Sequence, residues 1–146
     1  MLVASTASAT TYYWDHSKSS HWGRPANWNS GGAGGNPDSS NDTAYLVYNG
    51  MPGVGGQGVG SGNMDVSVND NDSSDVSFNL NNLYISTNSS SHDWVLSDHG
   101  SSKLKVYNSM VFDLAGGGSA LINADIELGD NYVQLDGRGN RATLAG

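Results

Sequence analysis

Ala120-Leu121-Ile122-Asn123-Ala124-Asp125-Ile126-Glu127-Leu128 is the stretch on which the fold turns. Its even positions are apolar and, from Asn123 onward, its odd positions are polar. Side chains of an extended strand alternate between two faces, so Ile122, Ala124, Ile126 and Leu128 share one face, with Asn123, Asp125 and Glu127 on the other. A helix would need polar and apolar residues to group with a period of 3.6, whereas from Ile122 onward this run repeats strictly every two. The same texture recurs on both sides of it. Short alternating runs occupy 64–68, 76–80, 83–85, 94–96, 104–106, 110–114, 121–128 and 132–135, separated by turns rich in Ser, Asn, Asp and Gly.

Composition agrees with that local reading. The chain has 146 residues, of which Gly (20), Ser (22), Asn (16) and Asp (13) make up almost half. Glu occurs once, Gln twice and Lys three times, so the straight-chain residues that favour helices are nearly missing and a helical bundle is excluded. A net charge of −8 without a basic cluster gives no electrostatic basis for binding nucleic acid or an anionic membrane. No run approaches the length of apolar sequence that inserts into a bilayer. With 36% hydrophobic residues and clear alternation, the chain has the means to bury a core, which a disordered sequence lacks.

Short strands at intervals of eight to twelve residues fit a sandwich, a barrel or a solenoid. Strands of three to five residues joined by loose polar turns favour a parallel β-helix, in which each coil stacks on the last; a β-sandwich is the alternative. Three regions follow. Residues 1–11 form an uncharged arm of small and β-branched residues, ending a signal-like stretch at Ala7-Ser8-Ala9 or lying as an added strand on a first coil or a neighbouring subunit. Residues 12–63 are aromatic and then Gly-rich, and 64–146 carry the regular strands.

Two segments resemble a known family. The tail, Ile122-Asn123-Ala124-Asp125-Ile126-Glu127-Leu128 followed by Leu135-Asp136-Gly137 and Ala142-Thr143-Leu144-Ala145-Gly146, resembles the repeats of autotransporter-type passengers. The front, with Trp14-Asp15, Trp22, Ala26-Asn27-Trp28, Pro37 and Asp42-Thr43-Ala44, is similar to the first coils of large secreted bacterial β-helix adhesins. The resemblance covers about half the chain and its motifs are structural. It implies a right-handed parallel β-helix, exported from a bacterium and held at the cell surface or secreted. The chain departs from the pattern in having no Gly- and Thr-rich repeat array and no membrane barrel, as expected of an N-terminal region of a longer protein or of a small relative.

Candidate sites are few. Tyr12, Tyr13, Trp14, Trp22 and Trp28 crowd into 17 positions, 12 to 28. They suit either a flat platform for sugar rings or a plug over the open end of a solenoid core, and a plug also offers contact to a neighbouring subunit. Asp70, Asp72 and Asp75 present oxygen ligands densely, but lack the glycine and the final glutamate of a closed calcium loop, so no metal or other cofactor is expected. His16, His21, His92 and His99 sit in polar contexts without a nucleophile-elbow or zinc motif. Carboxylates at Asp65, Asp70, Asp72 and Asp75 would need cations beside them to cleave an acidic glycan, and the middle of the chain offers Lys103 and Lys105 alone. The expectation is therefore a non-enzymatic, extracellular structural or adhesive module, self-associating into fibres or a sheath, with carbohydrate binding by the aromatic cluster as the alternative and a polysaccharide lyase or hydrolase a distant third.

Overall fold

A computed structural model describes residues 8–15, 21–47, 64–69, 76–87, 93–129 and 134–144; residues 115–117 and 134–144 are described by their backbone. It is nearly all-β. The strands are β1 (Thr11–Trp14), β2 (Trp28–Asn29), β3 (Ser39–Val47), β4 (Met64–Val68), β5 (Ser77–Ser86), β6 (Trp94–Asp98), β7 (Lys103–Ile122), β8 (Asp125–Leu128) and β9 (Gln134–Leu144). A single 3-10 turn, Pro25–Asn27, is the one helical element among the described residues. Pro25 starts it, where a missing N–H costs nothing.

All of these strands belong to one hydrogen-bonded system of order β2-β1-β3-β5-β7-β6-β4, with β8 and β9 also paired to β7. Apart from the antiparallel β1–β2 contact, every strand pair is parallel. Two long ladders result. One runs Tyr12–Ala44–Leu83–Met110–Leu135 across β1, β3, β5, β7 and β9. The other runs Val66–Leu96–Ile122–Leu144 across β4, β6, the end of β7 and β9. From β3 to β6 the chain visits the ladders alternately, and β7 is long enough to contribute to both.

Alternation explains which residues fill the core. Ala44 and Leu46, Leu83 and Ile85, and Met110, Phe112 and Leu114 are buried from the first ladder, and Phe78, Leu80, Leu104 and Val106 from a short one in which β5, β7 and β8 pair. Met64, Val66, Val68, Trp94, Leu96, Ala120 and Ile122 are buried from the second. Their odd-numbered or even-numbered partners face outward, and neutral polar groups predominate there.

Two expectations are corrected. The short runs at 76–80 and 83–85 are one strand, β5, and those at 104–106 and 110–114 lie within β7, which reaches 20 residues. The pairing slips by one residue where they join, Leu80–Asn82 lying against Val106–Ser109. Such a bulge bends the strand and re-aims its side chains while the ladder continues. Side chains bridge the bend: Asn82 Nδ2 donates to Thr43 Oγ1 (3.1 Å), and Asn82 Oδ1 accepts from Ser109 Oγ (2.7 Å) and Asn108 Nδ2 (2.8 Å). Polar residues that read as a turn therefore hold the extended chain together.

The second correction concerns the deciding stretch itself. Ile122 and Ala124 are buried and Ile126 is partly buried against the core, but Leu128 is 51% exposed. Leu128 pairs with Val106 of β7, and no described strand lies on the far side of β8. The periodicity assigns a face correctly; what covers that face depends on neighbours that periodicity does not supply.

Candidate functional site: buried tryptophans and an outward tyrosine row

The aromatic cluster divides. Trp22 is fully buried, and Tyr12, Trp14 and Trp28 are nearly so. Trp28 is the hub: its ring meets Trp22 at 4.7 Å, Trp14 at 4.9 Å and Tyr12 at 6.4 Å, each edge to face. Trp22 in turn lies 6.2 Å from Phe78, so the cluster rests on the core. Edge-to-face contact sets the positive rim of one ring against the negative face of the next.

Buried indole N–H groups need acceptors, and the chain around the cluster supplies them to Trp22 and Trp28. Trp22 Nε1 donates to the Pro37 carbonyl at 3.1 Å, and Trp28 Nε1 to the Trp22 carbonyl at 2.7 Å. Asn27, fully buried, donates from Nδ2 to the His21 carbonyl at 2.8 Å. Tyr12 donates its hydroxyl to the Gly34 carbonyl at 3.3 Å. Burial, with the nearby Asp42 carboxylate second, raises the Tyr12 phenol above its ordinary value, and a hydrogen bond with Thr10 opposes the rise.

Asp42 clamps this end of the sheet. Its Oδ1 accepts from the Thr10 backbone N–H (3.2 Å) and its Oδ2 from those of Asp38 (3.2 Å) and Ser39 (3.1 Å). The Thr10 carbonyl accepts from Thr43 N at 2.9 Å, so the chain before β1 already lies along β3 there. Residues 1–7 of the expected arm lie outside the described residues.

Tyr13 behaves differently from its neighbours. It points outward and stacks on Tyr45, with ring centroids 5.1 Å apart and planes 21° apart. Tyr45 lies 5.2 Å from Tyr84, tilted by 40°. These three are consecutive in register across β1, β3 and β5 and each is partly exposed. Tyr84 donates its hydroxyl to Asp113 Oδ2 at 3.1 Å. Sequence reasoning grouped Tyr13 with the tryptophans and overlooked Tyr45 and Tyr84. The signal was present: Tyr12-Tyr13-Trp14, Ala44-Tyr45-Leu46 and Leu83-Tyr84-Ile85 each place one tyrosine between two inward residues.

Among the described residues the other candidates do not assemble. Asp70, Asp72 and Asp75, with His16 and His92, lie outside the described residues. Asp65 is exposed on β4. Among the described residues no group of three or more His, Asp or Glu is placed to hold a metal ion. His21 Nδ1 lies 2.7 Å from Asn69 Oδ1, and His99 is exposed. Lys103 and Lys105, the cations considered for an acidic sugar, both bind Glu127, at 3.1 and 2.8 Å. Those contacts, Lys105 first, hold the Glu127 carboxyl below its ordinary value.

No family model, curated protein or solved structure matches the chain.

Proposed function

We propose that the chain is a right-handed parallel β-solenoid, plugged at its N-terminal end by the Trp22–Trp28 cluster, that serves as a structural or adhesive module at a bacterial surface or in its surroundings. The observation that carries the reading is the pair of parallel ladders that the chain visits in turn. Parallel neighbours require the chain to return to the starting end between strands. Here each return passes through the opposite ladder, as in successive coils. A sandwich is built from antiparallel sheets and does not need that path. Right-handedness follows from general stereochemistry, since about 98% of parallel crossovers take that hand.

The plug supports the same reading. Solenoid cores are open at their ends and need a cap. Four aromatic side chains, of which Trp22 and Trp28 donate their indole N–H groups to backbone carbonyls, supply a dense lid. Because these rings are buried, a sugar platform built from them would need the cluster to open; carbohydrate binding is better placed on the tyrosine row.

Cell fractionation with an antibody to the chain, combined with retention of protein-coated beads on immobilised matrix proteins and glycans, tests the proposal. Surface or secreted protein and bead retention are expected. Confinement to the cytosol, or beads that adhere to nothing while the protein forms no fibres, would contradict it.

A further inference from the structure

We propose that Tyr13, Tyr45 and Tyr84 form a binding row for a neutral, extended β-1,4-linked glycan lying across the strands; the inference rests on the solenoid reading, which sets the three rings in line. Rings in contact are separated by about 3.5–4.0 Å. Centroids 5.1 Å apart at 21° therefore require Tyr13 and Tyr45 to be slipped past one another, leaving a strip of each uncovered, while Tyr84, tilted by 40°, does not lie flat on Tyr45. The C–H faces of pyranose rings pack on such aromatic strips, and their equatorial hydroxyls project sideways.

Spacing and charge select the ligand. Neighbouring strands lie about 4.8 Å apart, and an extended β-1,4-linked glycan advances by close to that distance per sugar. Successive sugars thus meet successive tyrosines without a mismatch building up. An α-1,4-linked chain curls and loses the match after the first contact.

The row is flanked on one side by Thr43, Asn82 and Ser109, consecutive in register and joined by side-chain hydrogen bonds. These are neutral donors and acceptors suited to sugar hydroxyls. On the other side Asp113 is bonded to Tyr84 and lies opposite Arg138 in register, and Asp15 follows Tyr13 by two positions. In a chain of net charge −8, carboxylates at this edge of the row disfavour an acidic polysaccharide. The complementary polymer is uncharged.

The test uses the full chain retained on insoluble β-1,4-glucan, with polygalacturonate gel and bare agarose as controls. Wild type should bind the glucan and neither control. Soluble cellohexaose should displace it and maltohexaose should not. Tyr45→Ser, with circular dichroism unchanged, should weaken retention at least tenfold. No retention on the glucan, equal displacement by both hexaoses, or undiminished binding by a folded Tyr45→Ser would overturn the proposal. So would a change in sedimenting mass on Tyr45→Ser with glucan binding intact, which would make the row an interface between copies. Tyr45→Cys/Tyr84→Cys separates this from failure of the fold reading. A disulfide there establishes the register whatever the glycan result, and its absence withdraws the alignment on which the proposal stands.

Discussion

Trp28 donates its indole N–H to the backbone carbonyl of Trp22 at 2.7 Å while its ring meets the Trp22 ring edge to face at 4.7 Å. The Trp22–Trp28 pair thus satisfies a buried polar group and packs ring against ring in one arrangement. Trp22→Ala removes one ring of the pair and should cost about 3–5 kcal/mol. Tyr13→Ala, on the outward face, should cost far less. Equal losses in denaturant midpoint for the two variants would show that the cluster does not cap the core.

Ile126 and Leu128 share a face in the sequence pattern but differ in cover. Ile126→Asp places a carboxylate against the core and should destabilise the chain by several kcal/mol. Leu128→Asp should be nearly silent, because Leu128 is half exposed. Thermal melting of the two variants side by side checks the difference.

Gly129 carries a steric constraint. A Cβ there would lie 2.7 Å from Tyr107 Cδ1 and 3.0 Å from Tyr107 Cα. Because one of these contacts is backbone, Gly129→Ala should cost about 1–3 kcal/mol through overpacking. Gly129→Ala/Tyr107→Ala removes the ring contact and should recover part of the loss but not all of it, as read from urea unfolding.

Glu127 receives both Lys103 and Lys105, and its carboxyl is held below the ordinary value. Its folded value lies below its unfolded one, so its contribution is complete above the unfolded carboxylate value, near pH 4.3, and is lost as pH falls through the lowered value. Glu127→Gln should therefore melt slightly below wild type at pH 7 in low salt. The difference should shrink in high salt and vanish in acid, since both partners are solvent-accessible and screened.

Much of the architecture is legible in the residues, for definite reasons. Scarcity of Glu, Gln and Lys excludes helices, and period-two alternation marks Ile122 and Ala124 as inward, where they are buried. Strand lengths are not legible, because Asn81, Asn82, Asn108 and Ser109 have turn composition yet lie in extended chain; the bonds from Asn82 to Thr43 and Ser109 come from other strands. The tyrosine row is hidden for a similar reason. Tyr13, Tyr45 and Tyr84 are unequally spaced in the chain, and only register brings them into line. Asp42 reads as part of a motif, but its three backbone donors at Thr10, Asp38 and Ser39 are visible only in the fold.

The most direct test of the stacked-coil account is cysteine pairing between β4 and β6, made clean by a chain without native cysteine. Asp65 pairs with Val95 and Ser67 with Ser97, all on the outward face. Partners in register lie about 4.8 Å apart, within the range of about 4.4–6.8 Å that a disulfide spans. A slip of two residues adds roughly 6.6 Å along the strand and takes the pair out of range. Under mild oxidation, Asp65→Cys/Val95→Cys and Ser67→Cys/Ser97→Cys should close, while Asp65→Cys/Ser97→Cys and Ser67→Cys/Val95→Cys should stay reduced. Closure of the crossed pairs in place of the direct ones would mean antiparallel strands, and would contradict the account.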